Sequence, residues 1–155
     1  MSSPSRFPLP LAVIVVIGAA GCGDSGPLDR AELISRGDEL CREGQGRFAE
    51  IQATAPATST EAVGQTEELI EVSERELDEL EELEPPADLE APYERYLEAR
   101  RRALELLEQG REAAERQDGR AYRSAQVESE EGTGERRRLA RAVGFEACSQ
   151  PAGPG

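Results

Sequence analysis

LDRAELISRGDELCREGQGRFAEIQATA, residues 28–55, decides the architecture of this chain. Its small and apolar residues Ile34, Gly37, Cys41, Gly44, Phe48, Ile51 and Ala55 recur at alternating intervals of three and four. That spacing lines one face of a helix and makes a seam that a neighbouring helix must cover. Cys41 therefore faces the core. The start of the helix is equally well specified: Asp29 and Glu32 are spaced as a capping box, and Leu28 and Leu33 fit the N′ and N4 positions of a hydrophobic staple.

Working outward, Thr58 and Glu61 form a second capping box after Pro56. Val63, Thr66, Ile70, Ser73, Leu77 and Leu80 then continue a three-four stripe, widened by Leu69 and Leu83, until Pro85 and Pro86 stop it. Between Thr66 and Glu84 lie ten acids and only Arg75, a pattern that reads first as a solvated helix face. No DxDxDG loop accompanies them, so calcium is not expected.

A third helix runs to about Gln117 with Leu89, Tyr93, Tyr96, Leu97, Ala103, Leu104, Leu107 and Ala114 as core positions. Proline suits the first helical position, so Pro92 is read at N1 with residues 87–91 as a separate turn. Glu98 with Arg102, and Glu112 with Arg116, are spaced as i,i+4 pairs. A fourth helix, capped by Asp118, carries Tyr122, Ala125, Leu139, Ala140 and Val143 on one side and ends at Gly144. Gly132 and Gly134 cost it about 2 kcal/mol of propensity relative to Ala, which predicts a kink or break. Short connections make the expected fold all-α, an antiparallel up-down bundle of four helices, with Phe145 plugging one end.

The first twenty-two residues carry a different signal. Arg6 precedes an apolar run from Leu9 to Ala20, interrupted by Pro10 and Gly18, and small residues lead to Cys22. The run is shorter than the roughly 20 apolar residues that span a bilayer. Ala19-Ala20-Gly21-Cys22 resembles the lipobox of bacterial lipoproteins, with Ala19 where Leu is commoner. The resemblance implies diacylglycerylation of Cys22, removal of residues 1–21, and anchoring on the outer face of the plasma membrane, where two acyl chains hold stably. The same residues also fit a secreted protein cleaved after Ala20 or an uncleaved anchor. Residues 22–28 become a short tether, 29–149 the helical domain, and 150–155 a Pro/Gly tail expected to be disordered.

Three cysteines leave an odd one in an exported protein. With Cys22 acylated, Cys41 and Cys148 remain as a pair in an oxidising compartment and are expected to form a disulfide. Three further motifs extend the resemblance to small helical actinobacterial lipoproteins. They are I-S-x-G-D-E-L-C at 34–41, E-L-E-P-P-A-D-L at 82–89 followed by Y-E-R-Y-L at 93–97, and A-V-G-F-E-A-C at 142–148. That group implies a helical fold and a disulfide, and no activity.

Composition excludes several functions. The 18 basic residues, all Arg, stand against 32 acids for a net charge of −14, and loss of Arg6 with the leader makes it −15. Such a chain lacks the basic footprint of a nucleic-acid binder. It has no His, no Lys and one Met, which is Met1, so a haem or transition-metal centre finds no ligands and no cofactor is expected. Catalysis would rest on Asp, Glu or Tyr alone, no pair of acids is placed in a cleft by the pattern, and no catalytic residue is assigned.

The expected function is therefore non-catalytic binding. One reading is a scaffold for a basic envelope protein, recruited by the acidic face at Glu74, Asp78 and Glu81. The other is a small-solute binder with a gap beside Tyr93 and Tyr96. The short tether also predicts that the bundle end bearing Arg136, Arg137, Arg138 and Arg141 faces the membrane; those arginines either touch anionic headgroups or, the preferred reading, offset the acidic end of the second helix and the C-terminal dipole of the fourth.

Overall fold

The computed structural model describes residues 26–150. Its elements are α1 (Arg30–Ile51), α2 (Ser59–Glu81), α3 (Glu90–Glu115), α4 (Gly119–Val143) and a closing 3₁₀ turn, Ala147–Ser149. Together they form an antiparallel four-helix bundle. The expected signal segment, Cys22, most of the expected tether and the expected tail at 151–155 lie outside the described residues.

The helix starts follow the caps written in the sequence. Asp29 Oδ1 accepts from the Glu32 amide at 2.8 Å, and Thr58 Oγ1 accepts from the Glu61 amide at 3.2 Å. Neither box closes in full: Glu32 turns instead to Arg36, and Glu61 accepts from Ala57, one residue before the cap. Leu28 packs against the cluster containing Leu33, as a staple requires, and its amide donates to Glu84 O at 2.8 Å. The entry to α1 is thus pinned to the turn that follows α2. Asp118 caps α4 through Arg120 and Ala121. α4 ends in a Schellman motif, with Phe145 N bonded to Ala140 O and Gly144 N to Arg141 O. Gly144 there has φ of 109°, a conformation that favours glycine.

Five expectations need correction. α1 ends at Ile51, so Ala55 lies outside it, and Leu33 is fully buried where Ile34 is only half-buried. α3 begins at Glu90, which puts Pro92 at the third helical position, where a missing N–H is still harmless. Glu112 pairs with Arg116 at 3.3 Å, but Glu98 and Arg102 form no ion pair among the described residues. α4 runs unbroken through Gly132 and Gly134, because packing along α3 outweighs the local propensity deficit.

The core joins Leu33, Leu77, Leu80, Leu89, Tyr93, Tyr96, Leu97, Ala140, Val143 and Phe145. Phe145 meets both tyrosines edge-on, with ring centroids 6.1 Å from Tyr93 and 5.5 Å from Tyr96. Its ring occupies the space left by Gly37, where an added Cβ would fall 2.3 Å from Phe145 Cε1. Cys41 and Cys148 are disulfide-bonded with Cα atoms 5.2 Å apart.

Candidate functional site

Packing proceeds in chain order: α1 on α2, α2 on α3, α3 on α4. α1 and α4 share no comparable interface; the 3₁₀ turn bridges them at one end by touching both. The rest of that seam stays open as a cleft of about 260 Å³. All four helices contribute to its lining: Gly44 and Phe48 from α1, Glu76 from α2, Tyr96 and Arg100 from α3, and Thr133, Arg136 and Arg137 from α4. The Cys41–Cys148 bond closes one wall.

Glu76 is the least expected of these residues. It is only 7 % exposed, although it belongs to the acidic run of α2 that reads as solvated. Gly44 makes room for it, since a Cβ there would sit 2.4 Å from Glu76 Oε2. The carboxylate pairs with Arg100 at 2.6 Å. Burial raises the Glu76 pKa and the neighbouring Glu79 adds to this, while Arg100 opposes both. Arg100 also lies within hydrogen-bonding reach of the Tyr96 hydroxyl. Burial pushes Tyr96 up to about 12, so it remains a neutral phenol, 3.5 Å from Cys41 Sγ.

On the opposite wall, Arg136 folds back along α4. Its Nη2 donates to Ser129 O at 3.2 Å and to Thr133 Oγ1 at 2.8 Å. Its pKa is lowered by burial and by the positive charges of Arg100 and Arg137. Neither Arg136 nor Arg137 forms an ion pair among the described residues, whereas Arg138 reaches Glu135 at 3.4 Å. Three guanidinium groups and one carboxylate therefore line the cleft, giving it an excess of positive charge in a strongly acidic chain.

The residues singled out from the sequence fall in three places. Tyr96 lines the cleft, but Tyr93 does not: its hydroxyl donates to Leu80 O at 2.5 Å, satisfying a carbonyl at the end of α2. The gap is thus beside one tyrosine of the pair. Glu74 and Asp78 are exposed and form no ion pair among the described residues, while Glu81 pairs with Arg101 at 2.8 Å. Arg136 and Arg137 are half-buried in the cleft, whereas Arg138 and Arg141 are exposed.

Glu76, Arg100 and the inward role of Arg136 were missed by the sequence reading. The available signal was Glu76 itself, three residues after Ser73 on the buried stripe of α2, where a carboxylate requires a partner.

Among the described residues no three His, Cys, Asp or Glu are grouped to hold a metal ion, and no helix is long and apolar enough to cross a membrane. Comparison with known protein families, with curated proteins and with solved structures finds no match.

Proposed function

We propose that this chain is a non-catalytic binding protein, anchored through a diacylglycerol on Cys22 to the outer face of the plasma membrane, that holds a small polar solute between α1 and α4. The observation carrying this reading is the open seam itself. Four helices converge on a cleft that contains a buried ion pair and three guanidinium groups, beside a core of apolar side chains. Its volume lies just below the usual range of ligand pockets, about 300–1,000 Å³. Val127 is the one large apolar side chain exposed among the described residues, so no apolar docking patch competes with the cleft.

Native mass spectrometry of the full chain, extracted from membranes in mild detergent, tests the proposal. A small molecule carried through purification is expected, and Thr133→Trp, which fills the cleft, should remove it. Absence of any bound solute, together with no binding across a panel of polar metabolites, would overturn the reading.

A second reading has its own support. Glu74 and Asp78 project from α2 and form no ion pair among the described residues, as a surface recruiting a basic envelope protein requires. Capture of such a protein that is lost at high salt and in a Glu74→Gln/Asp78→Asn/Glu81→Gln variant supports it.

A further inference from the structure

We propose that the ligand of the cleft is a small free oxyanion, a phosphate or carboxylate compound, gripped by Arg136 and Arg137 with Arg100 behind them. This rests on the solute-binding reading above and names its chemistry.

Charge balance carries the argument. Glu76 is matched by Arg100 at 2.6 Å, which leaves Arg136 and Arg137 on a shared wall with no carboxylate partner among the described residues. Of the five half-buried arginines among the described residues, Arg100, Arg101 and Arg111 meet a carboxylate, while Arg136 and Arg137 do not. Acids are in large excess over arginines in this chain. Two half-buried arginines without a carboxylate are therefore not explained by any shortage of acids. Guanidinium offers five N–H donors in a planar fork that matches phosphate and carboxylate oxygens. Arg136 spends only Nη2 on protein acceptors among the described residues, so its remaining donors are free.

The local sequence of α4 is built around that side chain. Gly132 lies beneath the guanidinium, where an added Cβ would come within 2.9 Å of Arg136 Nη1. Thr133 supplies the hydroxyl that accepts from Nη2. Gly132, one of the two glycines that weaken the helix by propensity, forms with Thr133 the seat that positions Arg136. Tyr96 also borders the cleft, but its hydroxyl is spent on Cys41 Sγ at 3.5 Å, which leaves the arginines as the donors. Phospholipid headgroups share the same chemistry, but a cleft walled by four helices and a disulfide is shaped for a solute that enters it.

Isothermal titration of the full-length chain in mild detergent and chloride buffer, using inorganic phosphate and succinate as probes, tests this. Binding of at least one of them is expected, with glycerol and putrescine inert. Arg136→Gln should weaken it at least tenfold, and Gly132→Ala should weaken it without changing net charge. Arg138→Gln, which removes the same charge outside the cleft, should leave it within twofold.

Equal losses from Arg136→Gln and Arg138→Gln would reduce the effect to surface charge and overturn the proposal. So would binding of glycerol or putrescine with neither anion, although the solute-binding reading would survive that result. In a parallel arm, the Cys22→Ala chain is mixed with phosphatidylglycerol vesicles. Arg136-dependent vesicle binding with no response to phosphate or succinate would assign the arginines to headgroups and overturn the proposal.

Discussion

The carboxylate of Asp38 holds the amide of Ala147 at 2.8 Å, across 109 residues of chain. Its other oxygen accepts from the Glu146 amide at 3.2 Å, so one buried side chain of α1 caps the 3₁₀ turn that returns from α4. Gln45, two turns further along α1, donates to Ala147 O at 2.9 Å. The returning segment is thus fastened by hydrogen bonds on both sides of the disulfide.

Asp38→Ala leaves two amides without their charged acceptor, at a cost of about 2 kcal/mol. Urea denaturation is expected to show that loss in the oxidised protein. The variant should also be reduced faster by dithiothreitol, read by thiol alkylation, because the segment bearing Cys148 detaches more easily.

Reduction of the Cys41–Cys148 bond in the native sequence should lower stability by up to about 4–5 kcal/mol, the chain-entropy value for a closed loop near 100 residues. Most helical circular dichroism should persist at low temperature, since the buried Leu and Tyr contacts among α2, α3 and α4 do not depend on the bond. Native thiols already free to alkylate would contradict the pairing.

Two glycines of α1 should respond with opposite signs. Gly44→Ala drives a Cβ into Glu76 and is expected to cost about 1–3 kcal/mol by overpacking. Among the described residues nothing lies within 4 Å of the corresponding position at Gly46, so Gly46→Ala should stabilise by about 0.5–1 kcal/mol through helix propensity alone. Thermal melts of the two variants separate the effects.

Glu76 makes a specific contribution to the pH dependence of stability. Its pKa is raised in the folded protein above the ordinary value of 4.5, so the folded state binds this proton more firmly than the unfolded chain does. The favourable contribution is complete below about 4.5 and is lost as pH rises through the folded-state value. The groups facing it are Arg100 and Tyr96 on α3 and Glu79 on its own helix. The difference in urea midpoint between the parent and Glu76→Gln should therefore move against the parent as pH rises from 4, then level off. A difference that moved in the parent's favour would contradict this.

Cys22→Ala should leave uncleaved precursor and abolish partitioning into the detergent phase. Unchanged partitioning of that variant would remove the lipid anchor from the proposal.

The fold was legible because its signals are local. Caps at Asp29, Thr58 and Asp118 mark helix starts, Gly144 marks an end, and the stripe from Thr66 to Leu80 is buried almost residue for residue. The cleft was only partly legible, because it depends on which helices fail to meet. Tyr96 could be named as core but not told apart from Tyr93, since both occur in the same motif and only the fold gives one a carbonyl and the other a cleft. Glu76 was hidden by its acidic neighbours, and Arg136 by the run of arginines that follows it. Gly132, with Gly134, was read as a weak point because propensity measures a helix alone, not the side chain that its surface cradles.

The bond between residues 41 and 148 also determines how the protein bears mechanical force. Tension applied between the N-terminal and C-terminal ends would first peel the opening turns of α1, beginning at the Leu28–Glu84 hydrogen bond. Extension stops at Cys41, where the load crosses the sulfur bridge to Cys148 and leaves through the tail. Residues 42–147, which include α2, α3, α4 and every arginine of the cleft, form a covalent loop off the load path. A domain tugged at its ends would keep its grip on whatever the cleft holds.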